Sequence, residues 1–120
     1  DVFAIDLSSD KSGTQFIINL FDYVYQLKIN LIGEYNVYNS LASATCGVIL
    51  GIKPQKIMSA LEKVKTISGR LEKVYDEKFT VYVDYAHTPD GLEKSLTTLK
   101  KLAKKSDIRK NVLVCKRKEV

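Results

Sequence analysis

Apolar and polar positions change period several times along this chain, and the changes mark its elements. Val2 to Leu7 is apolar enough for a β-strand, and Ser8-Ser9-Asp10-Lys11-Ser12-Gly13 follows as a turn cluster. Thr14 to Leu20 and Tyr23 to Leu31 are rich in β-branched and aromatic residues, which favour strands. Tyr23, Tyr25, Leu27, Ile29 and Leu31 alternate strictly, the period of a half-buried strand. That strand is expected to run antiparallel to its neighbour across the tight connection Phe21-Asp22. After Gly33 the period becomes helical. Asn36 to Leu50 predicts a helix rich in small residues (Ser40, Ala42, Ser43, Ala44, Gly47), suited to close packing, and Gly51 is a natural stop. Pro54 fits the first turn of a second helix that aligns Ile57, Leu61 and Val64.

Thr66-Ile67-Ser68-Gly69-Arg70 reads as a connector. Beyond it, Leu71 to Tyr75 and Phe79 to Val83 form two strands around the turn Asp76-Glu77-Lys78. Leu92, Leu96, Leu99 and Leu102 share one face of a helix, and Asn111 to Cys115 is a short apolar strand. Strand, strand, helix, strand is the opening expected of an α/β sheet domain. Near Ile67–Gly69, hairpins and paired helices give way to that α/β pattern, so residues 1–68 and 69–120 are expected to belong to different domains.

Composition narrows the classes. A chain of 120 residues makes one small domain or parts of two. No apolar run is long enough to span a membrane, and the start lacks the basic end and apolar core of a signal peptide. The first residue is Asp1 and the single methionine is Met58, so the chain is expected to begin inside a longer protein. Cys46 and Cys115 lie far apart among apolar neighbours, which predicts two buried thiols in a reducing cytoplasm rather than a zinc site or a disulfide. The net charge is +5, with the excess late: Lys100, Lys101, Lys104, Lys105, Arg109, Lys110, Lys116, Arg117 and Lys118. A basic patch attracts phosphates. The lysine pairs at 100–101 and 104–105, however, fall on the polar face of a helix without interleaved aromatics, which argues for a solvated face and against nucleic acid.

Candidate chemistry sits in three clusters. Asp84-Tyr85-Ala86-His87-Thr88-Pro89-Asp90-Gly91 occupies a strand-to-helix turn, and open α/β sheets bind ligands outside the carboxyl ends of their strands. Asp84 is placed to accept from hydroxyls of a sugar or nucleotide. Read without context, Asp84 is a polar strand end, Asp90 a helix cap and His87 a structural histidine. In Gly33-Glu34-Tyr35-Asn36-Val37-Tyr38-Asn39, Asn36 and Asn39 share one helix face. Their amides carry both donor and acceptor, which suits an adenine edge, and Tyr35 is able to stack on a base. The plain alternative is that Asn36 caps the helix. In Gly69-Arg70 the arginine reaches phosphate or ribose oxygens, or is an ordinary surface residue. With one histidine a His-based metal site is not expected, and no Gly-x-x-x-x-Gly-Lys-Ser/Thr loop is present.

The order of these motifs carries more than any one of them. Gly33-x-Tyr-Asn-x-x-Asn39, an Ala/Ser-rich helix, Leu50-Gly-Ile, Ser68-Gly-Arg-Leu-Glu72 and Val83-Asp-Tyr-Ala-His-Thr-Pro-Asp-Gly-Leu-Glu93 resemble the Mur ligase family, and within it the UDP-N-acetylmuramyl-tripeptide synthetases. The similarity runs from about Leu31 to Val114. It implies an α/β fold: the end of a central ATP-binding domain (residues 1–68, strands plus a helix pair), then the first part of a Rossmann-like C-terminal domain (residues 69–120).

The resemblance also implies cytoplasmic, ATP-dependent amide ligation in peptidoglycan synthesis, and so in cell-wall biogenesis, cell shape and cell division. ATP phosphorylates a carboxylate of a UDP-N-acetylmuramoyl dipeptide, and an amino acid's amine attacks the acyl phosphate. Carried over by motif, Asn36 and Asn39 contact the adenine, Arg70 lies near ribose and phosphates, and Asp84 binds the ribose hydroxyls. Tyr85, His87 and Pro89 line the nucleotide site at the domain junction. None of these is a catalytic or metal-ligating residue.

The phosphate loop, the modified lysine and the magnesium-holding groups of the family are not in these 120 residues, and the tail from Lys116 reads as a truncation or frame change that omits the amino-acid site. Ligation by the chain alone is therefore not expected. Two further readings stand beside this one. The first is a non-catalytic nucleotide-binding module that complements a separate chain or self-associates through uncovered sheet edges. The second, ranked behind it, is a small basic nucleic-acid-binding protein.

Overall fold

The computed structural model describes residues 1–103 and the backbone of 111–115. The basic residues from Lys104 onward, the Cys115 thiol and the tail after it lie outside the described residues. The chain forms two compact units, Asp1–Lys65 and Thr66–Val120.

The first unit is an antiparallel meander of β1 (Val2–Asp10), β2 (Gly13–Leu20) and β3 (Tyr23–Ile29), followed by α1 (Glu34–Ile49) and α2 (Pro54–Lys63). Alternation decides which face is covered. Thr14, Phe16, Ile18 and Leu20 of β2 are buried, and Leu27 and Ile29 of β3 join them. Val37 and Ala44 of α1 and Ile57 and Met58 of α2 complete this core. Each fully buried Ile, Leu or Phe contributes about 1.5–3 kcal/mol relative to exposure. The helices meet at Gly47, where an added Cβ would lie 2.8 Å from Ile57 Cδ1, so the small residue there permits the approach. Asn30 closes the far end of α2, its amide donating to Glu62 O (2.8 Å) and Val64 O (3.0 Å).

Several expected boundaries move. β1 runs on to Asp10, because pairing with β2 resumes at Ser8 after an irregularity between Ile5 and Ser8. Asp10 then takes two hydrogen bonds from Ser12, backbone and hydroxyl, each 2.6 Å, which hold its carboxyl below the ordinary range. β3 ends at Ile29, two residues before Leu31. α1 begins at Glu34 rather than Asn36, with Gly33 (φ 103°) as its N-cap. Cys46 is exposed rather than buried, because it lies on the side of α1 away from the sheet, with Ala42 and Ser43.

The second unit pairs β4 (Glu72–Asp76) antiparallel with β5 (Thr80–Asp84). α3 (Pro89–Leu102) then crosses to β6 (Asn111–Cys115), which lies parallel to β5. β5 is the central strand, and Asp84 ends it opposite Cys115. This is the mixed α/β arrangement expected of residues beyond Gly69. The leucine stripe of α3 is only partly buried: Leu99 is covered, whereas Leu92 and Leu96 are exposed. Ser95 is buried instead, because the helix turns it onto the end of β5. Among the described residues no helix is long and apolar enough to cross a membrane.

Candidate functional site

In the first unit the structure brings Asn36 and Asn39 together. Asn36 is buried, and its Nδ2 donates to Ile32 O at 2.9 Å, tying the first turn of α1 back to the chain before it. The cap reading of Asn36 is thereby corrected. The residue is inside the helix, and its side chain bonds backward rather than to the helix's first N–H groups. Asn39 is exposed and donates to Asn36 Oδ1 at 3.3 Å. The Asn39 side-chain Oδ1 accepts no hydrogen bond among the described residues, so Asn36 orients and Asn39 presents. The Tyr35 ring lies against Gly33, where an added Cβ would meet its Cε1 at 2.7 Å.

In the second unit the carboxyl end of β5 gathers the other candidates. The Arg70 guanidinium sits 5.1 Å from the centre of the Tyr85 ring, and the His87 ring packs against the other partner of that pair, 4.8 Å from Tyr85. His87 Nδ1 is 3.0 Å from Tyr85 O. A carbonyl only accepts, so Nδ1 carries the proton in that bond. Among the described residues the Arg70 guanidinium has no hydrogen-bond or ion-pair partner, which leaves its donors available to an anion. Pro89 is the first residue of α3, and Thr88 caps the helix by accepting from Gly91 N at 3.1 Å. Asp90 is therefore not the cap. It lies in the first turn and pairs with Lys94 at 2.8 Å.

Asp84 is the node of this cluster. It is 7% exposed, and its Oδ1 accepts from Leu71 N (3.2 Å) and Tyr85 N (2.9 Å). Its Oδ2 accepts from the Ser95 hydroxyl. A carboxylate has about four acceptor positions, so roughly one remains, on Oδ2. The turn that carries Arg70 is held from both sides. Gly69 (φ 69°) and Leu71 (φ 45°) are left-handed, and Gly69 N donates to Glu72 Oε2 at 2.8 Å. The sequence assigns no site role to Ser95, nor to Leu71 and Glu72, although the last two fall within the motif Ser68-Gly-Arg-Leu-Glu72. Ser95 had one signal, as a small polar residue four positions before Leu99 on the buried stripe.

Comparison with known proteins follows from this layout. Residues 69–119 match the family described as Mur ligase, glutamate ligase domain. Over 110 residues the chain is 44% identical to the UDP-N-acetylmuramoyl-L-alanyl-D-glutamate–2,6-diaminopimelate ligase of Halalkalibacterium halodurans, covering 91% of this chain and 22% of that protein. The chain belongs to the Mur ligase family. It spans about a fifth of the length of the curated Mur ligases it matches. A solved diaminopimelate-adding Mur ligase is 28% identical with a TM-score of 0.69, over 88% of this chain and 22% of that one. The MurF ligase of Acinetobacter baumannii gives a TM-score of 0.78 at 22% identity, over 84% of this chain and 22% of that chain, a likeness of fold alone.

Proposed function

We propose that this chain carries the adenine and ribose side of the ATP site of a cytoplasmic peptidoglycan ligase, one that adds diaminopimelate to a UDP-N-acetylmuramoyl dipeptide. Kinship with diaminopimelate ligases supports the substrate assignment. The observation that carries the nucleotide assignment is the Arg70–Tyr85–His87 cluster held at the end of β5 by a buried carboxylate. In this reading residues 1–68 belong to the central domain and 69–120 to the Rossmann-like C-terminal domain.

Each residue has a physical role in that reading. Asn39 reads the adenine edge and Asn36 holds it. The Arg70 fork meets phosphate oxygens, while the remaining acceptor position of Asp84 takes a ribose hydroxyl. Tyr85, His87 and Pro89 supply flat surface beside the nucleotide. Bound ATP supplies the phosphoryl group that activates the substrate carboxylate, and these residues bind and orient it. Among the described residues no group of three or more His, Cys, Asp or Glu side chains is arranged to hold a metal.

The chain by itself is expected not to ligate, since the sequence has no phosphate loop. The test is titration of the 15N-labelled chain with ADP at millimolar concentration. Amide shifts concentrated at Asn39, Arg70, Tyr85 and His87 are expected. Shifts elsewhere, or none at these residues, overturn the assignment.

A further inference from the structure

We propose that Ser95 is a positioning residue for Arg70, acting through Asp84. The inference rests on the nucleotide reading only for its consequence in binding; the positioning itself is a property of the free chain.

A single oxygen joins the two segments. Asp84 Oδ1 accepts at once from Tyr85 N and from Leu71 N. Tyr85 bears the ring under the guanidinium, and Leu71 directly follows Arg70. One atom thus sets both halves of the Arg70–Tyr85 pair, although they lie on separate segments. Leu71 adopts φ 45°, a backbone region unfavourable for a side chain with a Cβ, so its turn persists only while something holds it.

Asp84 must itself be held in one rotamer for this to work. Ser95 does so from the opposite side. Its hydroxyl is buried (4% exposed) and donates to Asp84 Oδ2, with Gly91 O as the alternative acceptor at 3.0 Å. The charged acceptor forms the stronger bond, so the proton belongs to Asp84. Without that hydroxyl, Oδ2 has no partner among the described residues. The carboxylate is then free to rotate toward water, taking Oδ1 away from Leu71 and Tyr85. Ser95 also occupies one acceptor position on Oδ2, which limits what a ligand finds there to about one.

The test compares nuclear magnetic resonance spectra of the 120-residue chain and its Ser95→Ala, Ser95→Thr and Ser95→Val variants. In the parent, Arg70 side-chain protons are expected upfield with cross-peaks to the Tyr85 ring; their absence overturns the proposal without any variant. In Ser95→Ala, Leu71 and Tyr85 amide resonances move and the Arg70 ring-current shift is lost, while amides of the β4–β5 pairing stay in place. Thr keeps the hydroxyl and Val, its isostere, does not. Recovery of the Arg70 shift in Ser95→Thr but not in Ser95→Val separates positioning from packing if the alanine variant fails to fold. An unchanged Arg70 signal in both Ala and Val overturns the inference. ADP affinity is expected to fall about three- to tenfold in Ser95→Ala, the net scale of one ordinary hydrogen bond. Failure of the parent to bind ADP counts against the nucleotide reading alone, because the ligand-free arm still decides the positioning.

Discussion

The Arg70 guanidinium lies 5.1 Å from the centre of the Tyr85 ring, and the Leu71 and Tyr85 amides beside that pair share one carboxylate oxygen of Asp84. A cation over a partly exposed aromatic such as Tyr85 contributes about 0.5–1 kcal/mol. Tyr85→Ala is therefore expected to weaken ADP binding about two- to fivefold. Arg70→Lys keeps the charge but loses the planar fork, and should weaken binding at least as much. Calorimetric titration at two salt concentrations measures both. Parent-like affinity in Tyr85→Ala contradicts the platform role.

The two asparagines are expected to separate. Asn36→Ala leaves Ile32 O without its buried donor and costs about 1–2 kcal/mol of stability in urea melts. Asn39→Ala touches an exposed side chain and should cost less than about 0.5 kcal/mol. The same Asn39 substitution should narrow the preference for ADP over GDP. An unaltered preference would remove Asn39 from the adenine edge.

Tyr82 gives the pH prediction. Its ring is 1% exposed, and its hydroxyl has no partner among the described residues. Burial pushes its acid dissociation upward, with the negative charge of Asp76 adding to the effect. The folded chain therefore keeps this proton at pH values where the unfolded chain has released it. Stability from this group is whole below about pH 10 and declines as pH rises beyond that. Tyr82→Phe should flatten the alkaline decline and gain roughly 1 kcal/mol at neutral pH by removing an unsatisfied hydroxyl. Melts of parent and variant between neutral pH and pH 11 decide it. A large loss of stability at neutral pH would show that the hydroxyl has a bond after all.

Thr88, not Asp90, caps α3. Thr88→Ala should cost about 1 kcal/mol in thermal or urea unfolding. Asp90→Ala breaks only an exposed pair with Lys94 and should cost a few tenths of a kcal/mol. The opposite ranking would restore the cap to Asp90.

Regular patterning made most elements legible. The alternation through Tyr25, Leu27 and Ile29 marks that strand and its covered side, because one side of a meander must be buried, whereas on β2 residue types mark the strand and the structure adds that Phe16, Ile18 and Leu20 are the covered side. The boundaries were less visible, since β1 continues through Ser8 and Ser9 only by pairing with Thr14 and Gln15, which no local preference announces. On α3 the leucine spacing predicted a uniform face, whereas Ser95 takes the central position for the sake of a carboxylate eleven residues earlier. The candidate site divides in the same way. The residue types were readable at Asn39, Arg70 and Tyr85, where a side chain faces outward. What holds them was not, because Leu71 acts through its backbone and Ser95 through another side chain.

Asp84 accepts from Leu71, just before β4, and from Tyr85, just after β5. The β4–β5 hairpin is thus buttoned at its open end. Its tip at Glu77-Lys78 is free of that duty and is the natural place to insert foreign residues, a tag or a fluorophore. The same insertion between Gly69 and Glu72 would undo the button.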